Sequence, residues 1–135
     1  MTTLKIGTDL VQVSRIAESL ANFGEKFTRR LFTEHEIAYA ASSEPLQAAR
    51  FAKRFAAKEA VIKALDLTAV GLDWRQIEVR RAANGHCSLA LHGVAREAAE
   101  RARVRELSLS LSRDGDYATA MVVALAEGGE PDLKD

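Results

Sequence analysis

One acid inside a run of cations is where chemistry first shows in this chain. In "RFAAKEAVIKAL", Arg54 to Leu65, Glu59 shares a helical sector with Phe51, Phe55 and Ile62. A carboxylate on an apolar border is costly to desolvate. One reading is an exposed i, i+4 pair between Glu59 and Lys63, worth roughly 0.3–0.5 kcal/mol, and helix spacing alone favours it. Against it stands the cationic density: Arg50, Lys53, Arg54, Lys58 and Lys63 on one helix, with Glu59 the single acid among them. Such a cluster repels itself unless anions compensate it, and phosphates do so well.

Asp9 raises a matching question in "LKIGTDLV". Spacing alone favours a turn or cap aspartate after a strand. Together with Glu59, however, it offers two hard oxygen ligands from separate elements. That is the usual protein share of a Mg²⁺ site, completed by water and substrate phosphate. Other candidates are weaker. His35, His86 and His92 are not at metal-ligand spacing, so zinc is not expected. Cys87 alternates with Leu89 and reads as core. Trp74 reads as packing, and Ser108 and Ser110 as a solvated strand face. No Gly-rich phosphate loop is present.

The elements that must position these residues follow from periodicity. Leu4, Ile6 and Leu10 alternate on one side of a strand, although Gly7 and Asp9 are poor strand formers, so this strand carries something besides packing. Val13, Ile16, Ala17, Leu20 and Phe23 follow at helical spacing, with Gly24 as the stop. Thr33 to Glu36, "TEHE", has capping-box spacing, and Pro45 suits the first turn of a long helix ending near Leu65. Ile77 and Val79, then Cys87, Leu89 and Leu91, form a hairpin about Asn84-Gly85, expected as a primed turn. "VAREAAERAR" is an amphipathic helix. Leu107, Leu109 and Leu111 alternate with serines, and "RDGD" turns the chain into "YATAMVVALA", apolar enough for a central strand. The order is β-α-α-α-β-β-α-β-β: a single α+β domain over residues 1–126, an antiparallel sheet packed with a long helix. Residues 127–135 have nothing to bury and are expected to be a disordered tail.

The totals agree. With 135 residues, 47% hydrophobic and 28% charged, the chain has globular composition and room for one core. The formal net charge of zero gives no field for nucleic acid. One cysteine excludes an internal disulfide and fits a reducing compartment. No apolar run approaches a membrane span, and the N-terminus does not read as a signal peptide, so a cytoplasmic location is expected.

"IGTDLVQVSRI" resembles the G-x-D-(I/V)-x-x-x-x-R-(I/F) opening of small bacterial holo-acyl-carrier-protein synthases, within the 4′-phosphopantetheinyl transferases. "RFAAKEAVIKAL" resembles their second signature, R-F-A-A-K-E-A-x-x-K-A, and the likeness runs from about Leu4 to Ala126. The resemblance implies transfer of the phosphopantetheine arm of coenzyme A to a serine of apo acyl carrier protein, releasing adenosine 3′,5′-bisphosphate. It implies Mg²⁺ on Asp9 and Glu59, with Lys63 stabilising phosphate charge. Arg54, Lys58, Lys63, Ser112 and Arg113 match positions expected to serve coenzyme A, and Arg15 one expected to meet the acidic carrier. Removal of the serine proton falls either to Glu59 or to a water on the metal. Family members are typically homotrimers with coenzyme A between subunits.

Two departures stand out. Ser112-Arg113 replaces the family's S-H, whose histidine lies near the 3′-phosphate of coenzyme A; a cation is retained. "DLTAVG" replaces the usual G-T-G after the second signature, so adenine contacts do not carry over. A catalytically silent coenzyme A-binding module is the rival reading. A basic-helix RNA-binding protein is disfavoured by the zero charge and the lack of paired exposed aromatics.

Overall fold

Small residues let the long helix lie close against a sheet. The computed structural model describes residues 1–68 and 71–128. Its long helix, α4 (Gln47–Leu65), buries Ala52, Ala56, Ala57, Ala60 and Ala64. The facing strand buries Ala118, Ala120, Val122 and Ala124. The closest approach is at Gly7, where an added Cβ would sit 1.9 Å from the Ala60 carbonyl oxygen. Only glycine fits there, which explains a poor strand former inside a strand.

Three antiparallel strands make the main sheet in the order β1-β5-β4: β1 (Thr2–Gln12), β4 (Val104–Asp114) and β5 (Tyr117–Glu127). "YATAMVVALA" is thus central, as its composition predicts. β5 begins after a two-residue turn with Gly115 at positive φ. It runs one residue past the expected domain boundary, Glu127 pairing with Thr2. Of the expected tail, residues 129–135 lie outside the described residues. The strands β2 (Ile77–Arg81) and β3 (Cys87–Leu91) form a separate hairpin. Its turn is not a two-residue primed one. Ala82 and His86 extend the ladder, and Gly85, at φ 89°, closes a longer loop.

Between β1 and α4 the chain forms α1 (Val13–Phe23), α2 (Glu25–Leu31) and α3 (Glu34–Ala41); α5 (Gly93–Arg101) follows β3. Sequence periodicity missed α2, a helix too short to display a repeat. Thr33 forms the expected capping box with Glu36. Pro45 lies in a 3₁₀ turn, Glu44–Leu46, just ahead of α4.

Leu4, Ile6 and Leu10 do not face this core. Each is more than 60% exposed, with Met121 and Tyr117 half exposed nearby. The pleat explains it: Gly7 and Val11 point at α4, so the even-numbered residues of β1 point away. In register, Leu4 pairs with Leu125, Ile6 with Val123, and Thr8 with Met121. The sheet therefore presents an apolar face that the described residues leave uncovered.

Candidate active site

Asp9 and Glu59 come together. The close passage at Gly7 sets β1 against α4, and Asp9, two residues on, points to the same side of the strand. Its backbone is fixed by Thr119, whose hydroxyl donates to the Asp9 carbonyl at 2.9 Å. Both carboxylates line one cavity of about 570 Å³, with Arg15, Phe27, Phe55 and Tyr117. Burial, and then the Asp9 charge, push the Glu59 carboxyl above its ordinary range, against a downward pull from Lys63. Asp9 is a mid-strand residue, not a cap; the first turn of α1 is held instead by Asp116, which accepts from the Ser14 N–H and hydroxyl.

The exposed-pair reading of Glu59 and Lys63 fails. Lys63 Nζ donates to Asp9 Oδ1 at 3.0 Å and to the Thr8 carbonyl at 3.1 Å. Glu59 has no ion-pair partner among the described residues. Two carboxylates facing one cavity, one already drawing a cation, offer hard oxygen donors of the kind a divalent cation such as Mg²⁺ takes.

The second feature is a small cavity of about 270 Å³ lined by Arg50, Lys53, Arg54, Arg81 and Arg113, with no acidic residue in its wall among the described residues. Arg54 is only 3% exposed, and its Nε has no hydrogen-bond partner. The Tyr39 ring lies under three of the guanidiniums: Arg50 at 4.2 Å, Arg54 at 4.5 Å and Arg81 at 5.4 Å. A π-face steadies clustered cations but cannot neutralise them. Such a pocket suits an anion. Arg81 and Tyr39 were not legible as site residues, because α3, α4 and the hairpin meet only in the fold.

Lys58 is the clear correction. It was expected to serve phosphates beside Arg54, yet its side chain is 0% exposed. Its ammonium donates to Glu36 Oε1 at 2.8 Å, to the Trp74 carbonyl at 3.1 Å and to the Ile77 carbonyl. All three N–H donors are used inside the protein, so none is free for a ligand. Ser112 is also separated from its neighbour. It projects from the uncovered sheet face opposite Thr119, whereas Arg113 projects from the helix side. Arg113 Nε meanwhile donates to the Gly115 carbonyl at 3.0 Å.

A groove of about 1010 Å³ runs beside the carboxylate cavity, and Ser19 and Phe27 line both. Its walls are apolar at Phe23, Leu31 and Trp74 and carry Lys26, Arg29, Arg30 and Arg75, the last ion-paired at 2.7 Å to the acid Asp73 in the same wall. Phe23, expected on the buried face of α1, is instead 62% exposed at this edge.

Residues 5–122 match the model of the family described as the 4′-phosphopantetheinyl transferase superfamily. The chain belongs to that superfamily. Within it, the chain is 43% identical over 118 residues to the holo-[acyl-carrier-protein] synthase of Gloeobacter violaceus, covering 87% of this chain and 89% of that protein. It is 40% identical over 121 residues to the synthase of Koribacter versatilis, covering 89% and 96%. Among solved superfamily structures, the coenzyme A complex of the Chronobacterium ammoniagenes synthase superposes with a TM-score of 0.80 at 34% identity. That match covers 93% of this chain and 99% of the other. The α+β architecture read from sequence is the superfamily's architecture.

Proposed function

We propose that this chain is a holo-acyl-carrier-protein synthase. It transfers the 4′-phosphopantetheine arm of coenzyme A to a serine hydroxyl of apo acyl carrier protein, releasing adenosine 3′,5′-bisphosphate. The convergence of Asp9 and Glu59 on one cavity, in a chain of this superfamily, carries the reading. The test is incubation with apo carrier protein, coenzyme A and Mg²⁺. A mass gain equal to one phosphopantetheine is expected, and none with EDTA.

Asp9 and Glu59 would hold Mg²⁺, which when bound neutralises charge on the coenzyme's diphosphate. Lys63, already shared with Asp9, adds a cation beside the same phosphates. Glu59, which lines the cavity with no ion-pair partner among the described residues, is placed to take the proton of the carrier serine as the serine oxygen attacks the β-phosphorus. Arg50, Arg54 and Arg113 receive the remaining phosphate of coenzyme A in the cationic cavity. Arg15 and the basic groove beside it receive the acidic carrier.

The carboxylate and cationic cavities have no lining residue in common. The uncovered face of Leu4, Ile6, Leu10 and Met121 requires a cover. Both observations support a homotrimer packed through that face, with the coenzyme bound between subunits and Ser112 meeting it from a neighbouring copy. The free Cys87 supports work in a reducing cytoplasm, and the carrier it would load serves fatty-acid or polyketide synthesis.

A further inference from the structure

The buried ion pair of Lys58 and Glu36 lines none of the three cavities described above and serves none of the roles assigned there. Both side chains are 0% exposed. Stability alone does not account for them, because an apolar pair of similar size usually stabilises a core as well or better. What an ion pair adds is direction.

The directions are specific. Glu36 Oε1 accepts from Lys58 Nζ and from the Thr33 N–H at 2.9 Å, and Oε2 accepts from the Val79 N–H at 3.0 Å. So held, the Lys58 ammonium grips the Trp74 and Ile77 carbonyls at the two ends of the 3₁₀ turn Trp74–Gln76. The Trp74 ring stacks on Phe55, centroids 5.2 Å apart. Phe55 stands one helical turn before Glu59 and lines the carboxylate cavity, while Trp74 lines the basic groove. The stack is therefore a wall between the two places that the transfer must connect.

We infer that Glu36 is a positioning residue for the transfer, acting through Lys58 to fix the Trp74–Phe55 wall between the carboxylate cavity and the basic groove. This rests on the function proposed above. A wall free to shift lets the carrier dock without bringing its serine into line at Glu59. Misplacement of that kind lowers kcat by about ten- to a hundredfold while coenzyme A still binds.

The test compares the parent with Glu36→Leu/Lys58→Met, an apolar pair, and with Glu36→Gln. Folding is followed by melting temperature and rates are normalised to the coenzyme A-binding stoichiometry. Trp74 is the only tryptophan, so its emission reports the wall directly. The expected result for the double variant is a retained melting transition, coenzyme A affinity near the parent's, kcat reduced by about tenfold or more and Trp74 emission moved to the red. If the apolar pair does not fold, Glu36→Gln is read by the same normalised kcat and emission. Parent-like kcat and parent-like emission in a folded variant would overturn the inference and leave the pair a stabilising role only. A parent without transfer activity would instead refute the proposed function, and the emission would then decide the inference by itself.

Discussion

Lys63 reaches across to Asp9 on β1, 3.0 Å away, and not to Glu59 one turn before it on its own helix. The pair ties the strand and the helix that carry the two proposed metal ligands. It also leaves Glu59 facing the cavity with its charge opposed by Asp9.

The two carboxylates act as one unit. Asp9→Ala and Glu59→Ala should each abolish phosphopantetheine transfer with a native circular dichroism spectrum. The double variant should be no worse than either single, since residues that work together are not additive. Near-normal, EDTA-insensitive transfer by Glu59→Ala would sink the assignment.

Gly7 should tolerate no side chain. A methyl group 1.9 Å from the Ala60 carbonyl must push β1 away from α4. Gly7→Ala should destabilise the fold by about 1–3 kcal/mol or more, seen as a lower urea midpoint. It should also weaken Mg²⁺-dependent transfer in whatever fraction remains folded. An unchanged midpoint would mean the close approach is relaxed in solution.

The cationic cavity should read the phosphate that distinguishes coenzyme A from its 3′-dephospho form. Losing one charge-assisted contact typically costs about 1.5–3 kcal/mol, or roughly ten- to a hundredfold in affinity. Arg113→Ala should therefore weaken coenzyme A by that factor and leave 3′-dephospho-coenzyme A almost unchanged in titration calorimetry. Arg113→His should recover part of the loss, more at pH 6 than at pH 8, because only imidazolium carries the charge. Equal losses for both ligands would transfer the role to Arg54, whose buried Nε has no hydrogen-bond partner among the described residues.

Carrier recognition should be electrostatic. Arg15→Glu should raise the Michaelis constant for the carrier far more than that for coenzyme A, and added salt should weaken the parent in the same direction. A similar rise for both substrates would point to a folding defect.

The uncovered sheet face should be the assembly surface. Ile6→Lys, placing a charge where Ile6 is 64% exposed in the single chain, should leave the isolated fold nearly intact but give monomers by light scattering. Those monomers should be inactive. A fully active monomer would remove both the trimer and the intersubunit site.

By itself the sequence determined the local grammar. The capping box at Thr33, the stop at Gly24 and the central strand after Gly115 were readable, because short-range periodicity encodes them, whereas the meeting of Asp9 and Glu59 was implied by the resemblance to the family's two signatures and not by spacing. Only the tertiary structure decided what each charge faces. Arg54 and Lys58 are four apart on one stripe, yet one opens on a cavity and the other is sealed against Glu36. Lys63, spaced for Glu59, pairs with Asp9. Leu4 and Ile6 look like core by alternation, but the face turned to α4 is the one that Gly7 allows to come close. Helical spacing gives an angle around one axis. The partner at that angle is supplied by elements distant in sequence, and burial raises the stakes of the choice among them, since desolvating a charge is costly unless a partner or a ligand offsets it.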